Sequence, residues 1–72
     1  MNKNNKIKII VNGKLLTVSF KFSLKNLIEK LKTPINKVAI ELNEKIVDKK
    51  KLNKIYLKNK DKIEIVHFIG GG

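Results

Sequence analysis

The fold is decided by the stretch Lys6-Ile7-Lys8-Ile9-Ile10-Val11-Asn12-Gly13-Lys14-Leu15-Leu16-Thr17-Val18. Two apolar runs flank Asn12-Gly13, and this dipeptide is the strongest short-range signal for a two-residue hairpin turn with positive φ at both positions. We therefore predict strands over Lys6–Val11 and residues 14–20. The turn sets their register, which places Ile9 opposite Leu16.

This register gives the hairpin two unequal faces. One face is apolar and consists of Ile7, Ile9, Leu16 and Val18. The other face is mixed and consists of Lys8, Ile10, Leu15 and Thr17. The first face is typical of a hairpin that covers a core, whereas the second leaves two large apolar side chains outside it.

An amphipathic helix is predicted after the hairpin. Its apolar stripe consists of Leu24, Leu27, Ile28 and Leu31. Ser23 is a suitable N-cap, but Asn26 stands where a capping box has Glu or Gln, so we expect an incomplete box. Pro34 prevents continuation of the helix beyond Thr33.

The rest of the chain alternates short strands with polar turns. Further strands are predicted over Val38–Leu42, 45–47 and 62–68, with an irregular or single-turn helical connection over 48–57 that ends in a short strand. This order predicts an α+β roll, in which a mixed sheet of four to five strands packs on one main helix. We expect a single domain over residues 1–72, with residues 1–5 disordered and 69–72 forming a flexible tail.

A partner-binding surface follows if the last strand lies beside the first. Period-two alternation then places Ile63 and Ile65 in the core and the residues between them on the outer face. The predicted surface consists of Ile10, Leu15, Val66, Phe68 and Ile69. Exposed apolar patches commonly mark interaction sites, although these side chains can also be half-covered at a strand end.

The sequence ends on Gly70-Gly71-Gly72. Three extended residues reach about 10 Å, and without Cβ atoms they pass through a slot too narrow for other residues. We expect these glycines to thread into another protein and to deliver the α-carboxylate of Gly72 as the reactive group.

Composition excludes several classes of function. The net charge is +11, and all seventeen cationic side chains are lysine. The absence of cysteine excludes disulfides, thiolate zinc sites and a sulfur nucleophile in this chain. No apolar run approaches the roughly 20 residues of a membrane span. The lysine-rich run at residues 49–51 is either solvated or meets an acidic surface on a partner.

The absence of arginine and tryptophan argues against specific nucleic-acid recognition, because such readers use arginine forks and aromatic stacking. His67 has no neighbouring Asp, Cys or second His in the sequence, so we expect no metal site and no catalytic triad. A small basic RNA-binding module stays an alternative.

The order of elements, together with three segments, closely resembles the ThiS family of ubiquitin-like sulfur carriers in thiamine biosynthesis. These segments are the Asn12-Gly13 hairpin, residues 38–47 (VAIELNEKIV) and residues 61–72 (DKIEIVHFIGGG). The resemblance covers everything after Asn5 and implies a ubiquitin-like β-grasp fold. Lys60 departs from the family, which usually has Gly before the Asp of that turn.

The resemblance implies a carrier and not an enzyme. A ThiF-like adenylating enzyme, using ATP and Mg²⁺, would join the Gly72 carboxylate to AMP. A persulfide sulfur donor would then convert it to a thiocarboxylate, and thiazole synthase (ThiG) would accept the sulfur. The chain itself would bind no cofactor or metal and would be a monomer, without specific nucleic acid or membrane partners.

Two related classes share a di-glycine ending and stay as alternatives: the MoaD-like sulfur carriers and the ubiquitin-like modifiers. The abundance of Lys, Asn and Ile indicates AT-rich coding, and the N-terminus has no features of a transit peptide. We therefore expect a bacterial cytoplasm, or a plastid stroma if the protein is encoded in that organelle.

Overall fold

The computed structural model describes residues 5–68, and its first elements form the predicted hairpin. Strand β1 spans Lys6–Val11 and strand β2 spans Lys14–Ser19. Ile9 pairs with Leu16 and Ile7 with Val18, so the predicted register is confirmed. Asn12 and Gly13 have φ values of 49° and 83°, which is the conformation that this turn requires.

The last strand lies in the middle of the sheet. Strand β3 spans Val38–Leu42, β4 spans Lys45–Ile46 and β5 spans Lys62–His67. The described residues form a five-stranded sheet in the order β2-β1-β5-β3-β4. Strand β5 is parallel to β1 and antiparallel to β3, which confirms the predicted mixed sheet.

Asn12 holds β5 on the side of β1. Its main-chain N–H donates to the Ile63 carbonyl at 2.9 Å. Its side-chain Oδ1 accepts from the Ile65 N–H at 2.7 Å, and its Nδ2 donates to the Ile65 carbonyl at 3.3 Å. The amide side chain therefore continues the ladder of hydrogen bonds past the point where β1 turns away.

Asn43 holds the beginning of β5 on the side of β3. Its Oδ1 accepts from the Lys62 N–H at 2.9 Å, and its Nδ2 donates to Asp61 Oδ1 at 3.0 Å. The other carboxylate oxygen of Asp61 accepts from the Lys58 N–H at 2.8 Å. The turn before β5 is thereby tied to the turn between β3 and β4.

The core lies between one face of the sheet and helix α1, which spans Leu24–Lys30. It consists of Ile7, Ile9, Val18, Leu24, Leu27, Ile28, Val38, Ile40, Leu52, Leu57, Ile63 and Ile65. Leu16, predicted on the same hairpin face, is half-buried against it. The prediction that Ile63 and Ile65 join the core is therefore confirmed.

Helix α1 ends earlier than predicted. Leu31 is its C-cap and is 39% exposed, so it does not complete the apolar stripe. Lys32 adopts a φ of 55°, the Thr33 N–H donates to the Ile28 carbonyl, and the Lys32 N–H donates to the Glu29 carbonyl. This pair of bonds is a Schellman motif, with lysine where glycine is usual.

The capping box at the start of α1 is complete, so the predicted defect is wrong. Ser23 Oγ accepts from the Asn26 N–H at 3.0 Å, and Asn26 Oδ1 accepts from the Ser23 N–H at 3.1 Å. The shorter asparagine side chain still reaches the N-cap, because its amide oxygen is an adequate acceptor at this distance.

The remaining connections contain two 3₁₀ helices, Ile35–Lys37 and Lys49–Lys54. The second is longer than the single turn predicted there, and the short strand predicted after it is only an isolated bridge between Tyr56 and Ser23. At the other end of the chain, the Asn5 carbonyl accepts from the Phe20 N–H at 2.7 Å. Hydrogen-bonded backbone therefore begins within the segment predicted to be disordered, while residues 1–4 lie outside the described residues.

We expect Asn12→Gly to lower the free energy of unfolding by about 1–3 kcal/mol, because glycine keeps the positive φ but leaves the Ile65 N–H without its acceptor. Urea denaturation measures the change. Asn36→Gly is the control. Asn36 is exposed, so this variant should lower the free energy of unfolding by only about 0.5–1 kcal/mol, through the backbone entropy of glycine. Equal losses in the two variants would contradict the role of the Asn12 side chain.

We expect Lys60→Gly to stabilise the fold by about 0.5–1 kcal/mol. Lys60 has a φ of 75°, a conformation that costs an L-residue about 1–2 kcal/mol, and the entropy of glycine offsets part of the gain. Thermal unfolding measures the effect. Lys58→Gly, in the same turn but without a positive φ, should lower the melting temperature, and a drop for Lys60→Gly as well would refute the explanation.

Candidate functional site

Hydrogen bonds hold the end of β5 and Phe68, which we call the tail root. The Phe68 N–H donates to the Lys37 carbonyl at 2.9 Å, and His67 pairs with Val38. The predicted contact residue Ile69 and the predicted threading residues Gly70, Gly71 and Gly72 lie outside the described residues. Their roles stay predictions.

The sheet has an outer face, which we define as the face opposite α1. Strand alternation and pairing place Ile10, Leu15, Val66 and Phe68 on it, as the sequence predicts. Leu15 is 65% exposed, Val66 52% and Phe68 57%, while Ile10 is half-buried. Three large apolar side chains on this face are therefore available to a partner.

These residues form two clusters rather than one continuous patch. Ile10 pairs with both Leu15 and Lys62. Val66 lies four residues beyond Lys62 along β5, which is about 13 Å at the rise of a strand. We call Ile10 and Leu15 the hairpin cluster, and Ala39, Val66 and Phe68 the tail-root cluster.

Two carboxylates lie on the outer face below the tail-root cluster. Glu64 pairs directly with Glu41, and both are half-buried. Like charges in this arrangement repel each other. A partner surface that meets the outer face therefore encounters an apolar area beside a local negative charge, on a protein that is otherwise strongly positive.

Ile46 is an outer-face residue that the sequence analysis missed. It pairs with Glu41 and is 78% exposed. The available signal was the turn at Asn43-Glu44, where both residues have positive φ. That turn sets the register between Glu41 and Ile46, and alternation from the buried Ile40 then directs both outward.

Lys49 covers the ring of Phe68. Its Nζ lies 5.4 Å from the ring centroid, which is within the range of a cation–π interaction. Lys49 begins the second 3₁₀ helix, so this contact joins that helix to the end of β5. The contact restricts the position of the aromatic ring at the tail root.

Residues 5–68 contain no group of three or more His, Cys, Asp or Glu side chains arranged to hold a metal ion. In the same part of the chain, no helix has the length and apolar character needed to cross a bilayer.

Comparison with known proteins gives consistent results. The model of the ThiS family matches residues 9–72. The crystal structure of the thiamine biosynthesis protein ThiS from Geobacter metallireducens superposes with a TM-score of 0.80 at 29% identity, covering 92% of this chain and all of that one. The β-grasp fold is therefore confirmed.

Three relatives add to this comparison. The uncharacterized protein ycf40 of Porphyra purpurea is 33% identical over 100% of this chain and 99% of its own. The sulfur carrier protein ThiS of Bacillus subtilis is 46% identical over 49% of this chain and 53% of its own. The thiazole synthase of Paramagnetospirillum magneticum is 36% identical over 92% of this chain, which spans only 20% of that enzyme.

Proposed function

The chain belongs to the ThiS family of sulfur carriers in thiamine biosynthesis, and from this premise we propose that it carries sulfur as a thiocarboxylate on Gly72. The observation that supports this most directly is the anchored end of β5, which leads from Phe68 to the three final glycines. A hydrogen-bonded strand end followed, after Ile69, by three residues without side chains is suited to insertion into an active site.

The first step activates the carboxylate. The Gly72 carboxylate attacks the α-phosphorus of ATP, pyrophosphate leaves, and an acyl-adenylate forms. A free carboxylate resists nucleophiles because its charge repels them and its oxide is a poor leaving group. Attachment of AMP removes the negative charge and supplies a good leaving group. A ThiF-like adenylating enzyme supplies the ATP, the Mg²⁺ and the catalytic side chains.

The second step introduces sulfur. The terminal sulfur of a persulfide donor attacks the acyl carbon and releases AMP, which leaves an acyl disulfide. A thiol then attacks the donor's sulfur in that bond, so that a donor disulfide forms and the Gly72 thiocarboxylate leaves. The thiocarboxylate carries its negative charge mostly on sulfur and is a nucleophile for the next enzyme.

Thiazole synthase (ThiG) is the proposed acceptor of this sulfur. A segment similar to this chain occupies about one fifth of the thiazole synthase of P. magneticum, since the match covers 20% of that protein. The same relation holds for the thiazole synthase of Magnetococcus marinus. This similarity supports the assignment, because a segment that resembles this chain is part of the same polypeptide as a thiazole synthase in both proteins.

The chain acts in this scheme as a co-substrate and not as a catalyst, because neither step requires one of its side chains. It binds no cofactor of its own and works as a monomer. The full-length similarity to ycf40 of Porphyra purpurea, a red alga, supports a plastid stroma as its compartment. A bacterial cytoplasm is the second candidate and follows from composition alone.

We expect the chain to gain the oxygen-to-sulfur mass difference when it is incubated with ATP, a ThiF-like enzyme, a persulfide donor and a thiol. Intact mass spectrometry measures the product. Deletion of Gly72 should abolish the gain without changing the circular dichroism spectrum, whereas deletion of Asn2 should leave charging unchanged. No mass gain with an enzyme that charges another carrier would refute the proposal.

We expect the double variant Val66→Ser/Phe68→Ser to raise the KM of the adenylating enzyme for this carrier on the order of tenfold, because truncation of a central interface residue costs about 1 kcal/mol or more and about 1.4 kcal/mol corresponds to a tenfold change in affinity. Ile10→Ser/Leu15→Ser should raise KM less, because the hairpin cluster lies further from the end of β5. Steady-state kinetics with pyrophosphate release as the readout measures both.

Phe20→Ser/Tyr56→Ser is the matched control for the docking surface. Phe20 and Tyr56 are 54% and 57% exposed but lie away from the tail root. Their replacement should leave KM within about twofold, since exposed side chains outside an interface contribute little. An equal rise in KM for this control would show that the tail-root cluster has no special role.

A further inference from the structure

A concave surface lies beside the end of β5, between helix α1 and the second 3₁₀ helix. It encloses about 410 Å³. Ile28 and Leu52, which are 5% and 6% exposed, form its floor together with the half-buried Ile35. We call this surface the helix groove. Its floor accommodates an aliphatic side chain from outside.

The rim of the helix groove is cationic. It consists of Lys25, Lys32, Lys49 and Lys50, with Glu29 as the carboxylate in the lining. Lys25 Nζ lies 4.0 Å from Glu29 Oε2, so this carboxylate is already paired. Among residues 5–68, the other three rim lysines have no carboxylate within 4.0 Å.

Asp48 is the acidic residue nearest to Lys49 and Lys50 in the sequence, and its side chain caps the second 3₁₀ helix. Its Oδ1 accepts from the main-chain N–H of Lys50 at 2.9 Å, which caps the start of the helix. The rim therefore keeps an excess of positive charge around an apolar floor. This combination attracts an acidic partner and gives its apolar side chain a place to pack.

The helix groove is continuous with the tail root through Lys49. This side chain lines the groove and also lies over the Phe68 ring at 5.4 Å. A protein that binds the chain next to Phe68 therefore lies close to the groove, and only the Lys49 side chain separates the two. The outer face and the helix groove meet at this point.

We propose that the helix groove binds an acidic segment of the adenylating enzyme, in which one aliphatic side chain packs on the floor and the flanking carboxylates meet Lys32, Lys49 and Lys50. This inference rests on the proposed function, because it assumes an adenylating partner. Within residues 5–68, the side chains that line the groove are aliphatic or polar, and none of them is an aromatic ring on which a base could stack. The aliphatic floor thus favours a polypeptide over a single-stranded nucleic acid.

The test compares two charge reversals that change the net charge equally. Lys32→Glu/Lys50→Glu reverses the groove rim and leaves the Lys49–Phe68 contact intact. Lys51→Glu/Lys54→Glu reverses two exposed lysines of the same 3₁₀ helix that do not line the groove. The measurement is KM and kcat for the carrier with the adenylating enzyme at two ionic strengths.

We expect the groove reversal to raise KM at least about tenfold at low salt with kcat within about twofold, and the control reversal to raise KM less than about threefold. The difference should shrink at high salt, because exposed charges are screened over roughly 10 Å at 0.1 M. Equal effects of the two reversals, or no effect of the groove reversal, would overturn the inference.

Ile35→Thr tests the floor separately, because it keeps the branch at Cβ and replaces the ethyl group of isoleucine by a hydroxyl group. We expect a KM increase of about threefold to tenfold with a cooperative thermal unfolding transition retained. An unchanged KM would remove the apolar part of the inference.

Two further outcomes separate this inference from the proposed function. If the wild-type chain gains no sulfur under the same conditions, both fail; if it is charged but the groove reversal has a wild-type KM, only the groove inference fails. A fluorescently labelled oligouridylate is titrated in parallel near physiological salt. Binding that is lost in the groove reversal but kept in the control would assign the groove to nucleic acid and refute the acidic segment.

Discussion

The central position of β5 is the constraint on which the rest of the structure depends. This strand pairs with β1 on one side and β3 on the other, so it joins the hairpin to the second half of the sheet. Asn12 and Asn43 bind its main chain from opposite sides. Ile63 and Ile65, which are 0% and 8% exposed, then close the core beneath it. The strand that leads to the glycines is therefore among the most firmly held segments.

This arrangement suits the proposed carrier role, in which the reactive group is the end of the chain and not a side chain. Burial of apolar surface contributes about 25 cal/mol per Å², and Ile63 and Ile65 supply part of that contribution from β5 itself. The two sheet faces divide the work: one packs on α1, and the other presents the tail-root cluster. Lysine is spread around both, which favours encounter with acidic partner surfaces through long-range attraction.

Local signals predicted the elements well and their ends less well. Asn12-Gly13 set the hairpin register because a two-residue turn leaves no freedom in pairing. The end of α1 was predicted too late because Lys32 takes a left-handed conformation. Lysine rarely adopts this conformation, so no signal in the sequence indicated it. The capping box was predicted to be incomplete because its sequence pattern names Glu or Gln at this position. The pattern does not consider that Asn26 Oδ1 can also reach the Ser23 N–H. Both errors concern one or two hydrogen bonds at a helix terminus.

The sequence by itself determined the strand faces, the hairpin register and the apolar stripe of α1 as far as Ile28, because each follows from neighbouring residues. Only the tertiary structure decided that the outer-face residues form two clusters, since the offset between β1 and β5 is a pairing of segments some 50 residues apart. It also decided that Lys49 meets Phe68 and that a cationic groove lies beside the end of β5. Such contacts depend on how separate elements pack around one core, and no local periodicity encodes that packing.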